Sequence, residues 1–208
     1  MAFAESLADF YAKGGRIEDW WLIAHPASLP PGRGRYFRVA ARHSGGDRGM
    51  PNDIRYVAAW RRNDPAIERD AIALWTEMKV LPPNIRAEER AKELVAVAYD
   101  GDRLIAVTTA QIHLHAPVRQ RFAFMRLLVR PEAEKSGLAV PLTVACREEL
   151  REWSLANPHE QVAGYAAVIT AAGYGAKPVL NAGLTLVGYT PDGHQIRTYW
   201  WDHFKIPV

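Results

Sequence analysis

The chain has 208 residues, 49% of them hydrophobic and 24% charged, with a formal net charge of +3. That size suits one domain around a single core, and the charge is too small to demand a polyanionic partner. The single cysteine, Cys146, excludes an intramolecular disulfide framework, no apolar run nears the ~20 residues needed to cross a bilayer, and no leader pattern stands at the start; a cytoplasmic protein is expected.

Ala2 to Lys13 carries Phe3, Leu7, Phe10 and Tyr11 on one side and stops at Gly14-Gly15, the pattern of a short helix. Trp20, Trp21, Leu22 and Ile23 follow as an apolar patch that, if exposed, would mark a homodimer contact. Proline and glycine then crowd the stretch from Pro26 to Asp53. Residues 1–52 therefore read as an N-terminal extension packed on a domain spanning 53–208. Between Gly32 and Arg62 lie Arg33, Arg35, Arg38, Arg42, Arg48, Arg55, Arg61 and Arg62, against Asp47 and Asp53. Three readings of this basic stretch stay open: a solvated loop, a grip on nucleic-acid phosphates, or a reach to the 3′-phosphate of a nucleotide cofactor.

From Ile54 the pattern is regular. Ile54 to Trp60 reads as a strand. Asp64 and Pro65 are suited to cap and open a helix, in which Ile67, Ala71, Leu74, Trp75 and Met78 recur at helical spacing until Pro82-Pro83. A shorter helix is expected over Ala87 to Lys92. Glu93 to Tyr99 and Arg103 to His115 form strands across Asp100-Gly101-Asp102, and Arg121 to Val129 adds a third. A long helix buries Leu142, Ala145, Cys146, Leu150 and Trp153, and Asn157-Pro158 closes it. Val162 to Ile169 is a strand, Lys177 to Ala182 a short helix stopped by Gly183, and Leu184 to Tyr189 with Gln195 to Trp201 a final hairpin. The class is α/β, a mixed sheet of about six to seven strands flanked by helices.

The chemistry concentrates between Leu127 and Leu142. A strand ends at Val129, Pro131 forbids its continuation, and Gly137 precedes a helix. The first N–H groups of a helix lack internal acceptors and sit at the positive end of its dipole, so they suit a phosphate. Lys135 adds a cation and Ser136 a cap or donor. Taken with the order of elements, Val129-x-Pro131 followed by Gly137-Leu138-Ala139 resembles the GNAT acyltransferase superfamily, whose pyrophosphate motif reads Arg/Gln-x-x-Gly-x-Gly/Ala after a Val-x-Pro strand end. Leu180-Asn181-Ala182-Gly183-Leu184 resembles that family's step into its last hairpin. The resemblance covers roughly Ile54 to Trp201.

The resemblance implies acetyl-CoA or another acyl-CoA as co-substrate. Leu127 and Val129 would then pair through their backbone with the pantetheine arm, beside a split in the sheet, and the N–H groups of Ser136, Gly137, Leu138 and Ala139 would hold the pyrophosphate. The acceptor would be a small-molecule or protein amine. The motif's first basic or amide position is Glu134 here, the usual acidic or histidine positions are Ala123 and Met125, and the usual tyrosine position is Val179. A catalytically silent GNAT-like binding or scaffold protein is one alternative, and a nucleic-acid-binding module through residues 32–62 is another.

His113 and His115 share a face of their strand by two-residue periodicity. No third ligand has metal-site spacing, so no metal is expected. His113 is the candidate base, because imidazole titrates near neutrality. Tyr174, between Gly173 and Gly175, is the candidate acid for the departing thiolate. Cys146 falls on the buried helix stripe and reads as a core thiol. Tyr199, Trp200 and Trp201 read as core, a pocket wall or a dimer seam.

Overall fold

The computed structural model describes residues 36–37, 54–170, 177–180 and 183–206. The helix over Ala2–Lys13, the Trp20-Trp21 patch, most of the arginine-rich stretch and Tyr174 lie outside them.

Asp64 caps the first helix, α1 (Pro65–Met78), its Oδ1 accepting from the amides of Ala66 at 2.9 Å and Ile67 at 3.4 Å. The helix stops at Lys79, which turns left-handed at φ 53°, before Pro82 is reached. A one-turn helix, α2 (Ala87–Ala91), follows, and the long helix α3 runs over Ala139–Ala156. The strands are β1 (Tyr36–Phe37), β2 (Ile54–Ala58), β3 (Leu94–Asp100), β4 (Arg103–His115), β5 (Gln120–Val129), β6 (Val162–Ile169), β7 (Thr185–Tyr189) and β8 (Gln195–Trp200). They form one mixed sheet in the order β1-β2-β3-β4-β5-β6-β8-β7. Strands β2 to β8 come from the stretch the sequence assigns to the main domain, and β1 from the extension.

Helices cover both faces. On one, Leu138, Leu142, Cys146 and Leu150 of the α3 segment join Val95, Ala110, Ala123, Met125 and Leu127 of the sheet. On the other, Ile67, Leu74 and Trp75 of α1 and Ala91 of α2 join Leu94, Val97 and Val107. The hairpin β3–β4 turns on Gly101 at φ 57°, a conformation that costs glycine no Cβ clash. No helix among the described residues is long and apolar enough to cross a membrane.

Every pairing among the described strands is antiparallel except that of β5 with β6. A parallel neighbour requires a crossover, and α3 supplies it. This parallel joint runs only from Arg121↔Val162 to Phe124↔Ala166. Beyond it, Met125–Val129 stay paired to β4 and Ala167–Ile169 to β8, but not to one another. The sheet parts there.

The helix expected over Lys177–Ala182 is not formed in the described part of that segment. Val179 instead bridges Thr185, the Leu186 amide donates to Pro178 O at 2.9 Å, and the Leu180 amide to Leu184 O at 3.0 Å. Arg197 on β8, whose side chain is fully buried, holds the segment in this form. Its guanidinium donates to Lys177 O at 2.7 Å and Leu184 O at 3.3 Å, and its Nε to Gln195 Oε1 at 2.9 Å. A helix would use Lys177 O in its own ladder, and here that carbonyl accepts from Arg197 instead.

Candidate active site

The half of β5 that has left β6 leads straight into the glycine turn. Arg130 fixes its end: Nε donates to Leu104 O at 2.9 Å, and both terminal nitrogens grip the Glu77 carboxylate at 2.7 Å each. The hydrogen bond from Arg130 holds the Glu77 carboxyl below its usual range. This fork ties the start of the turn to the last turn of α1. Pro131–Ser136 form a 3₁₀ turn and Gly137 is left-handed at φ 75°. A Cβ built on Gly137 would meet nothing within 4 Å, so glycine is there for its dihedral angle and the space above it is open.

Ser136 caps the next step, its hydroxyl donating to Ala133 O at 2.7 Å while the Leu138 amide reaches that hydroxyl only at 3.4 Å. Helix α3 begins at Ala139, so the amides of Ala139 and Val140 have no acceptor within the helix. Pro141 sits in the first turn, where its missing N–H costs nothing. Of the expected cradle, Gly137 is exposed and Ser136 half-buried, whereas Leu138 and Ala139 are buried. The open lip is therefore Ser136-Gly137. Glu134 is exposed, and the side chain of Lys135 lies outside the described residues.

Leu127 and Val129, the two expected backbone contacts, both lie on the parted stretch of β5. Their side chains join the α3-side core with Ile169 of β6 and with Leu180 and Leu184 of the Arg197-held loop. On the opposite face a groove lies against Arg126, Leu127 and Leu128, walled by Trp75, Val80, Leu81, Pro82, Val107 and Thr109, with Arg90 at its side. Split and groove thus share one strand segment.

A polar network stands behind that groove. Arg126 donates to Glu93 Oε2 at 3.0 Å and to Gln111 Oε1 at 2.8 Å, and Gln111 Nε2 donates to Glu93 Oε1. An arginine only donates and a carboxylate only accepts, so the Gln111 amide has one possible orientation. His113 Nε2 lies 3.0 Å from Gln111 Oε1 and must therefore carry the proton in the neutral ring. Nδ1 is left as the basic nitrogen. Burial pushes the His113 pKa down, with Arg126 and Arg121 adding to the shift. A free-base imidazole at neutral pH follows.

His113 packs 6.3 Å, centroid to centroid, from Phe124, the last β5 residue before the strands part. The alternation that aims Phe124 and Arg126 at this face turns Ala123 and Met125 into the α3-side core. His115 shares the face but is buried, edge-on to Phe122 at 5.9 Å and Phe124 at 5.6 Å, with neither nitrogen hydrogen-bonded. Burial lowers its pKa too. Both phenyl rings stand nearly perpendicular to the imidazole. Among the described residues no group of three or more His, Cys, Asp or Glu is placed to hold a metal.

Cys146 is fully buried and its thiol is pushed up to about 12 by that burial. Trp201 stacks on Tyr165 at 5.8 Å within the core, Tyr199 lies tilted against the same ring at 5.7 Å at the core's margin, and Trp200 meets Phe122 edge-on and stays partly exposed. Sequence reasoning passed over Glu93, Gln111, Arg126 and Arg130. Gln111 could have been found, since it shares two-residue alternation with His113. The others need the register of three strands.

The chain matches no protein-family model and no curated protein. Several solved structures overlay on it, and two illustrate the likeness. An acetyltransferase of the GNAT family from Streptococcus pneumoniae is 10% identical, over 72% of this chain and 100% of that one, with a TM-score of 0.46. A mutant AtaT toxin, bound to the C-terminus of the antitoxin AtaR and to acetyl-CoA, is 12% identical over 70% and 92%, with a TM-score of 0.42. Likeness at that level does not identify the chain. By its own topology, a mixed sheet flanked by helices with one parallel joint that parts, the fold is GNAT-like.

Proposed function

We propose that the chain is an acyl-CoA-dependent N-acyltransferase of a small-molecule or protein amine. One observation carries this reading: β5 leaves β6 after Phe124↔Ala166 and then runs directly into a glycine turn and the start of a long helix. An extended, amide-bearing arm ending in a pyrophosphate fits that sequence of features. Free strand edge suits the arm, and the Ser136-Gly137 lip and helix dipole suit the anion.

The donor supplies a thioester carbonyl. His113 Nδ1 takes a proton from the substrate ammonium, and the freed nitrogen attacks that carbonyl. A C–N bond forms, the nitrogen sheds its remaining surplus proton to solvent, the C–S bond breaks, and the leaving thiolate takes up one proton, so that the sulfur gains what the nitrogen loses. Tyr174, which lies outside the described residues, is the sequence's candidate to give it. Gln111 keeps His113 in the tautomer that the step needs, and Arg126 and Glu93 hold Gln111. Arg126 also places positive charge beside the parted strand, where an oxyanion would gain from it.

Calorimetry and thermal shift with acetyl-CoA and longer acyl-CoAs test the reading, with binding expected in the micromolar range or tighter. No binding at millimolar donor removes it. A catalytically silent binding protein is the second reading, favoured by Ala123 and Met125, which carry no proton and face away from the groove. Free thiol released from acyl-CoA in the presence of an amine library separates the two.

A further inference from the structure

The glycine turn is tied to the body of the fold through the residue at its head. Arg130 stands between the end of β5 and Pro131, and it is buried. Its amide donates to Ile105 O at 2.8 Å and its Nε to Leu104 O at 2.9 Å, both on β4. Its two terminal nitrogens take the two oxygens of Glu77, in the last turn of α1. From Arg130 the bonds run on into the turn. The Ala133 amide donates to Arg130 O at 2.9 Å, Ser136 Oγ to Ala133 O at 2.7 Å, and the Leu138 amide to Ser136 Oγ at 3.4 Å. A continuous chain of hydrogen bonds thus leads from α1 and β4 to the Ser136-Gly137 lip.

The two ends of the fork are unlike: the Arg130 side chain is 9% exposed and that of Glu77 60%. Arginine does not deprotonate, so without Glu77 its buried charge finds relief only by swinging toward water. Its backbone is the head of the turn, and the swing would carry the turn with it. The other ion pair of the turn, Glu132 with Arg103 at 2.7 Å, is exposed at both ends, and such a pair holds little. Resting on the acyltransferase reading above, we propose that Arg130 is a positioning residue of the donor site: clamped on Glu77 and Leu104 O, it sets where the Ser136-Gly137 lip meets the pyrophosphate of acyl-CoA. It acts through the turn, not by contact with the donor.

The test compares Glu77→Ala, Glu77→Gln, Arg130→Lys and Arg130→Gln with the unmodified chain, and takes Arg103→Gln as a control. Acetyl-CoA affinity is measured by calorimetry, and amide exchange by NMR on the ligand-free chain. Glu77 is exposed, so its variants keep the test usable even if Arg130→Gln does not fold. In Glu77→Ala, acetyl-CoA should bind about tenfold more weakly and the Ala133 amide should exchange about tenfold faster. Glu77→Gln and Arg130→Lys, which keep part of the fork, should each lose less. The Cys146 and Leu150 amides of α3 should stay within about twofold throughout, as should every reading for Arg103→Gln. An Ala133 amide that exchanges at the unmodified rate in Glu77→Ala overturns the proposal. So does faster exchange with undiminished acetyl-CoA affinity. Equal speeding at Ala133, Cys146 and Leu150 overturns it as well, because a merely structural role would loosen all three. In each of these cases the transferase reading stands so long as the unmodified chain binds acetyl-CoA. If the unmodified chain binds none at millimolar concentration, that reading falls and takes the donor role of Arg130 with it.

Discussion

His115 is an imidazole with no hydrogen-bond partner, wedged between two phenyl rings. Burial depresses its pKa below the ordinary 6.5, so the folded chain resists a proton that the unfolded chain accepts. Stability is then complete above that unfolded value and is lost as pH falls through about 6.5 and below. Replacing it, His115→Phe, should flatten the fall of urea-derived stability between pH 7 and pH 5; an unchanged slope would show that His115 is not responsible. His113 shifts in the same direction and will leave part of the slope in place. For His113→Gln, thiol-release assays should give kcat lower by roughly 10²–10⁴, the range for a lost general base. The deficit should narrow at high pH, where the amine arrives already deprotonated. Alternation along β4 made this histidine pair legible in the sequence. What separated them was not legible: Glu93 is 18 residues from Gln111 and 33 from Arg126, and only the strand register brings the three together.

Two glycines set apart what an element needs for folding and what it needs for binding. A Cβ on Gly164 in β6 would stand 1.9 Å from Tyr199 O and 2.9 Å from the Phe122 ring. Main chain cannot step aside, so Gly164→Ala should cost more than about 3 kcal/mol, as overpacking and broken β6–β8 pairing combine. Gly137→Ala meets open space and strains only its left-handed dihedral, about 1 kcal/mol. Denaturant melts should rank them in that order, and only the folded Gly137 variant can report a specific loss of donor affinity. Long elements with caps and clean periodicity were legible: β4 and β6 fall on their expected residues, and α1 starts at Pro65 behind Asp64. The segment before β7 was not: it is held by Arg197 from another strand, and a buried arginine that binds main-chain oxygens leaves no local pattern.

For the molecule as a whole, a ligand that binds only the folded chain stabilises it by mass action. At a hundred times Kd, acyl-CoA should add about 2.7 kcal/mol, which for a chain of this size raises Tm by roughly 5–10 °C. A flat melting temperature at that dose would contradict donor binding. The sheet itself was expected as a class, and its single parallel joint explains why it has two characters. Strands β1 to β5 form one antiparallel leaf and β6 to β8 another, stitched along Arg121–Phe124 and bridged underneath by α3. A fabric sewn over so short a length gives way at its stitching before it tears. Pulled apart by handles on β3 and β8, the two leaves should separate at that seam first, each keeping its own hairpins until a later and larger force.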